Sequence, residues 1–197
     1  MRLNIPLSEK IIRELRVGEI VHLTGRVLTM RDLAHDRLLY YLRNRKRLPF
    51  SLRDGVIYHC GPIMRREENG WIVASAGPTT SARMNGAEPE VIRRTGVRAI
   101  VGKGGMNGDV GMVMKERGCV YLASTGGAAV VAARGIGKVV DVHWSDLGMA
   151  EAVWELEFRD FGPLIVAMDT SGNSIYREVE KKVWKNREMI MRIWKEE

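Results

Sequence analysis

The chain reads as an α/β domain built on a mixed, partly parallel sheet flanked by helices. Three observations predict this. The apolar runs Trp71 to Ser75, Val97 to Val101 and Val120 to Ala123 each pass into a Gly-rich loop and then a helical stretch, and strand–turn–helix units in series build parallel sheet. Nearer the C-terminus, Trp154, Leu156 and Phe158 alternate with Glu155, Glu157 and Arg159, the period of a half-buried antiparallel strand. The composition, 45% apolar and 28% charged over 197 residues, is that of a globular chain able to bury one substantial core.

Each element has its own signal. Leu3 to Leu7 reads as a short edge strand, and Ser8 is placed to cap a helix through Leu15 that Gly18 ends. Glu19 to Met30 is β-branched and apolar, with Gly25 as a bulge or as a turn between two strand halves. Asp32 opens a helix in which Leu33, Leu38, Tyr41 and Leu42 share a face, and Pro49 marks its end. Arg31 stands where strand passes to helix, so its side chain can point beyond the end of the sheet. Val56 to His59 is a strand broken at Gly61-Pro62, Arg65 to Asn69 a polar loop, and Asn69-Gly70 a hairpin signal. Short helices follow at Pro89 to Arg94, Val110 to Arg117 and Ala128 to Arg134, each stopped by glycine (Gly96, Gly118, Gly135). Pro163 to Met168 is a further strand, ending in the turn Asp169 to Asn173. The remainder, 174–197, is a charged amphipathic helix with Val179, Val183, Ile190 and Trp194 on one side, packing on the domain or on a partner. The expected organisation is one domain over 1–173 and a C-terminal helical extension over 174–197.

Composition also excludes. No apolar run is long enough to span a bilayer and Met1 to Pro6 lacks a signal-peptide core, so a cytoplasmic protein without membrane association is expected. Cys60 and Cys119, the two cysteines, cannot form a disulfide framework or hold an iron–sulfur cluster alone, and they read as buried thiols. The net charge of +7 suits an anionic small substrate, nucleic acid or an acidic partner. The most basic run, Arg43 to Arg47, follows a helix, where cations complement the C-terminal dipole.

Chemistry concentrates in two loops. Ala76-Gly-Pro-Thr-Thr-Ser-Ala-Arg-Met-Asn-Gly86 carries hydroxyls and Arg83, and Val101-Gly-Lys-Gly-Gly-Met106 carries Lys103. Glycine lets such backbones turn sharply and approach a ligand, and hydroxyls beside fixed positive charge suit a small oxyanion. Gly102-Lys103 is not a Walker loop, because Gly104 follows the lysine and Val97 replaces the first glycine. It is not a dinucleotide fingerprint, because Asn107 replaces the third glycine. His22, His35, His59 and His143 lack metal-ligand spacing, so they read as structural and no metal is expected. Spacing assigns no role to His59, Thr80 or Asp109 beside these loops.

The ordered motifs Met30 to His35, Tyr58 to Ile63, Gly77 to Met84, Gly102 to Met106, Gly126 to Ala129, Asp146 to Trp154 and Asp169 to Asn173 resemble the class I, iron–sulfur-dependent fumarases. The match is to their C-terminal domain, which in split forms is a separate β subunit similar in pattern to that of L(+)-tartrate dehydratase. The resemblance implies a swivelling β/β/α domain. It implies a [4Fe-4S] cluster bound by the partner α subunit, with one iron acting as Lewis acid, and no cofactor ligand in this chain. Carried over by position, Arg31, Arg83 and Lys103 hold the carboxylates of a small dicarboxylate, for which the arginine fork is suited. Thr79 becomes the candidate base or proton relay, with Lys103 as the second catalytic group. A threonine hydroxyl needs charge stabilisation from Arg83 and Lys103 for that role, and its alternative is an N-cap or turn hydroxyl. The implied function is the β subunit of a fumarate hydratase, active only with its α subunit in a homodimer or heterotetramer. L(+)-tartrate dehydratase β subunit is the alternative. A basic RNA-binding module is the alternative of another class, weakened by 7% aromatic content where such modules need stacking platforms.

Overall fold

The computed structural model describes residues 1–68 and 70–196. In chain order the elements are β1 (Arg2–Asn4), α1 (Glu9–Glu14), β2 (Ile20–Thr29), α2 (Asp32–Arg43), β3 (Val56–Tyr58), β4 (Ile63–Glu67), β5 (Gly70–Ser75), α3 (Glu88–Thr95), β6 (Ala99–Gly102), α4 (Gly108–Arg117), β7 (Val120–Ala123), α5 (Ala129–Arg134), β8 (Ile136–His143), β9 (Val153–Met168) and α6 (Ile175–Glu196). Seven strands form one mixed sheet in the order β1-β2-β3-β6-β7-β9-β8. From β1 through β7 the neighbours are parallel, and β9 runs antiparallel to β7. Ile165 of β9 pairs with Ala123 of β7 and with Ile20 of β2, so β9 joins β7 and β2 across its two edges and the sheet closes into a barrel-like form.

That closure explains the unbroken apolar strands. Alternate residues of β3, β6 and β7 serve two different cores. Val56, Tyr58, Ala99, Val101, Val120 and Leu122 face an inner core with Leu156, Phe158 and Phe161 of β9. Ile57, Ile100 and Tyr121 face outward under α2, α3 and α4, which contribute Leu38, Ile92 and Val113. Local signals hold where they are chemical. Ser8 Oγ accepts from the Ile11 amide at 3.3 Å, Asn107 caps α4, and Gly96 and Gly118 end α3 and α4 in the left-handed conformation.

Several expectations need correction. Residues 71–75 do not belong to the main sheet, because β5 pairs antiparallel with β4 in a separate hairpin and is only half-buried. Arg65 to Glu67, read as loop, belong to β4; Asn69 lies outside the described residues. Gly25 is no turn: β2 runs through it with register shifts against β9, and its φ of +124° is a bulge conformation. Leu33 is 48% exposed, and the buried face of α2 is Ala34, His35, Leu38 and Leu39. Strand β8 carries no signal strong enough to be read from the sequence, since Gly137 and Lys138 interrupt its apolar residues. The two expected strands, Trp154 to Arg159 and Pro163 to Met168, are one strand, β9. Pro163 falls where β9 places two residues, Gly162 and Pro163, between Phe161 and Leu164, against one on β2, His22, between Val21 and Leu23, and a bulge tolerates the missing donor. The terminal helix spans Ile175–Glu196, with Val179, Val183, Ile190 and Trp194 exposed.

Candidate functional site

Four parallel strands end together, and the residues that follow them share that end. Arg31 follows β2, His59 follows β3, Lys103 follows β6 and Ser124 follows β7. In α/β proteins the C-terminal ends of parallel strands are where ligands collect. The Thr79–Arg83 loop comes instead from the β4–β5 hairpin, yet it docks at the same place. Its backbone inserts between the ends of β3 and β6, with Thr79 N–H donating to His59 O (2.7 Å), Lys103 N–H to Thr79 O (3.3 Å) and Ser81 N–H to Lys103 O (3.0 Å). Thr79 and Lys103 are therefore joined through their main chains.

At the rim the cations are organised by carboxylates. Arg83 Nε and Nη2 form a fork on the two oxygens of Asp32, both at 2.9 Å, and Nη2 also donates to Thr79 Oγ1 at 3.0 Å. The Arg83 hydrogen bond holds the Asp32 carboxyl below the usual carboxylate range. Arg31 lies 3.3 Å from Glu151 Oε1 and 3.9 Å from Asp32 Oδ2. These are ion-pair distances without hydrogen-bond alignment, and Arg31 Nε is buried and unsatisfied. Gly61 makes room for this guanidinium, since a Cβ there would stand 2.6 Å from Nη1. Lys103 packs along Gly126, where a Cβ would come within 3.7 Å of Nζ. Among the described residues no carboxylate lies within ion-pair distance of Lys103, which leaves it as the uncompensated charge of the group.

Beneath the rim runs a wholly buried polar chain. Glu88 Oε1 accepts from His35 Nε2 (2.9 Å) and from His59 Nε2 (2.8 Å). His35 Nδ1 is 2.7 Å from the carbonyl of Arg31, which can only accept, so His35 donates from both nitrogens. His59 Nδ1 meets Ser81 Oγ at 2.9 Å, and Ser81 Oγ meets Tyr121 OH at 2.8 Å. Burial opposes charge on every member. The hydrogen bond and charge of Glu88 nevertheless raise His35 above its ordinary value, whereas burial prevails at His59 and lowers it. Burial likewise works against the Glu88 carboxylate, but the imidazoles override it and hold its pKa at about 2. The hydrogen-bond pattern of His35, donating to the Arg31 carbonyl and to the Glu88 carboxylate, is that of a His35⁺–Glu88⁻ pair.

His35, His59 and Glu88 bring three metal-ligand atoms within 4.8 Å of one another, a grouping that sequence spacing did not show. Hydrogen bonds already occupy the nitrogens of both rings. An iron–sulfur cluster does not fit this chain. Cys60 and Cys119 lie in opposite cores, both fully buried, and burial pushes both thiols up, that of Cys60 to about 12, whereas ligation needs thiolate.

Sequence reasoning singled out Arg31, Thr79, Arg83 and Lys103 as candidates, and the fold gathers their segments at one end of the sheet. It missed the carboxylates beside the arginines, Asp32 and Glu151, and the buried chain of Glu88, the two imidazoles, Ser81 and Tyr121 beneath them. The clue available for Asp32 was its place beside Arg31 together with the need of Arg83 for an anionic partner. Thr80 bridges to Lys103 through backbone and Asp109 lies in the first turn of α4, as ordinary neighbours.

Comparison with known proteins adds independent findings. The family model described as fumarase C-terminus matches residues 1–179. A Methanocaldococcus jannaschii protein provisionally named L(+)-tartrate dehydratase subunit beta is 50% identical over 179 residues, 90% of this chain and 92% of that one. The L(+)-tartrate dehydratase subunit beta of Escherichia coli is 38% identical over 194 residues, 96% of this chain and 92% of that one. A Geobacillus stearothermophilus protein provisionally named fumarate hydratase class I is 41% identical over 180 residues, which cover 91% of this chain but 34% of that protein.

Proposed function

Because the chain belongs to the fumarase C-terminus family, we propose that it is the β subunit of a two-subunit hydro-lyase acting on a four-carbon dicarboxylate. In the first reading the reaction is reversible hydration of fumarate to (S)-malate. The observation that carries it is the convergence of Arg31, the Thr79–Arg83 loop and Lys103 at the C-terminal ends of parallel strands. Arg83 and Arg31 bind carboxylate oxygens, and Lys103, the cation without a carboxylate partner, supplies the remaining charge. Hydration places hydroxide on one carbon of the double bond and a proton on its neighbour. Thr79 Oγ1, which accepts from Arg83 Nη2, handles that proton, because the adjacent guanidinium lowers the cost of negative charge on the oxygen.

The [4Fe-4S] cluster implied by the family belongs to an α subunit that completes the pocket. The names of the relatives matching this chain at nearly full length support that partner, since both are beta subunits. The same names favour L(+)-tartrate as the second reading. Among the described residues no helix is long and apolar enough to cross a membrane. The division into a domain over 1–173 and a helical extension over 174–197 is part of this proposal. Co-expression with the cluster-bearing subunit tests the reading. Hydration of fumarate or dehydration of L(+)-tartrate is expected from the complex and from neither chain alone, and kcat/KM for the two substrates decides between them. Full activity of this chain alone without iron would refute it.

A further inference from the structure

The three proposed substrate-binding segments are separate in sequence: one follows β2, one precedes α3 and one follows β6. Loops at the end of a sheet need something to fix their mutual spacing, and displacement of a catalytic group by about 1 Å can cost on the order of a hundredfold in rate. One buried carboxylate touches all three segments through at most two intermediaries. Through His35 it reaches the main chain of Arg31, whose carbonyl accepts from Nδ1 at 2.7 Å. Through His59 and Ser81 it reaches the Thr79–Arg83 loop. Through the Ser81 amide, which donates to Lys103 O at 3.0 Å, it reaches the lysine loop. Gly102 has no side chain because a Cβ there would collide with Ser81 Oγ, so the strand end is shaped around this contact.

Resting on the reading above, we propose that Glu88 is a positioning residue for the dicarboxylate, holding Arg31, Thr79–Arg83 and Lys103 in one register through His35 and His59. Stability alone is a weak reason for such a group. Glu88 is fully buried and its Oε2 has no partner, and a buried ion pair is often no more stabilising than apolar residues of the same volume. A structural strut would need to join two points. This one joins the main chains that carry four candidate site residues and reaches none of their side chains, which stay available for ligand.

Glu88→Gln is the informative change. The single amide oxygen can accept from His59 Nε2. Neutral His35 keeps its Nδ1 proton for Arg31 O and then presents an Nε2 lone pair to that oxygen, so the Arg31 branch disconnects. Ser81→Ala cuts only the other branch. Both variants are made in the complex with the cluster-bearing subunit, and the histidines of the isolated full chain are labelled with 15N. Glu88→Gln is expected to raise KM for the dicarboxylate about tenfold or more with a smaller fall in kcat. His35 is expected to change from doubly protonated in the wild type to Nδ1-protonated in the variant. Ser81→Ala is expected to raise KM less and leave the His35 signature unchanged. Should Glu88→Gln fail to fold, Ser81→Ala carries the kinetic test. A folded Glu88→Gln complex with KM within twofold of wild type would overturn the proposal, as would a neutral His35 in the wild-type chain. One divalent ion per wild-type chain, lost in Glu88→Gln, would overturn it too, by making the cluster a metal site. A wild-type complex inactive on both dicarboxylates would instead defeat the functional reading, while the 15N spectrum still reports whether the buried chain is built as described.

Discussion

Two of the carboxylates at the candidate site, Asp32 and Glu88, lie in opposite surroundings. Asp32 lies at the rim with its side chain 38% exposed, forked by Arg83, whose own side chain is 42% exposed. Glu88 lies beneath, inaccessible, shared by two imidazoles. The contacts look alike on a distance list, all near 2.9 Å, but water separates their consequences. At the rim the solvent screens the pair, and a substrate carboxylate can compete with Asp32 for the same guanidinium edge. In the core nothing can replace Glu88, so the cost of losing it falls on the fold. The rim exchanges partners and the buried layer keeps the spacing between them.

Removing the buried partner should produce the largest effect. Glu88→Ala leaves two imidazoles facing an emptied polar site. The loss should be about 3 kcal/mol, the lower end for a broken buried pair because His35 can shed its proton. That corresponds to a fall in Tm of roughly 6–12 °C for a chain of this size, readable in a thermal melt. Asp32→Ala should move Tm far less, and equal losses would erase the distinction between the two carboxylates.

The pH dependence sharpens the same contrast. Glu88 has a folded pKa depressed from 4.5 to about 2, so its contribution is present above about pH 4.5 and is lost as pH falls toward 2. His59, lowered on folding, contributes above its ordinary value and also loses that contribution on acidification. His35, raised on folding, contributes fully below its ordinary value and loses it as pH rises through the raised one. The Tm difference between wild type and Glu88→Ala should therefore be greatest between these limits and shrink toward pH 2. A difference that stays constant from pH 6 to pH 2 would contradict an ionised Glu88.

What the sequence disclosed follows the same division. Arg31, Thr79, Arg83 and Lys103 sit in Gly-rich or strand-end segments where a charge or hydroxyl has no packing role, so each stood out. Glu88 stands just before the helix expected over Pro89 to Arg94 and falls in the first turn of α3, a common place for an acid. Its partners His35 and His59 lie 53 and 29 residues away, and a network closed only by tertiary folding leaves no periodic trace. The fold divided similarly. β3, β6 and β7 were legible because both faces are buried, whereas β8 and the junction within β9 depend on pairings that overrule local Gly and Pro signals. The hairpin strand β5 had the apolar content of a sheet strand, and only its partner β4 showed that it belongs elsewhere.

At the rim the expected effects are on binding. Arg83→Lys keeps the charge but loses the fork to Asp32 and the hydrogen bond to Thr79. A hydrogen bond to a charged group is worth about 1.5–3 kcal/mol, so kcat/KM of the reconstituted enzyme should fall about tenfold to a hundredfold. Tm should change little. Retention of wild-type kcat/KM would mean that charge alone suffices and that the fork is incidental.

The smallest effect should come from Asp32→Asn. The amide keeps one acceptor for Arg83 and removes one negative charge from the rim, so the local field becomes more favourable to a dianion. The lost ion pair is solvent-exposed, which limits its contribution to stability to about 1 kcal/mol or less. The added attraction across a few ångströms of partly hydrated space is of similar size. KM for the dicarboxylate should therefore fall by no more than a few-fold, with Tm nearly unchanged. A large rise in KM would show that Asp32 pre-orients Arg83 as Glu88 orients the loops, and the two carboxylates would then differ in exposure but not in task.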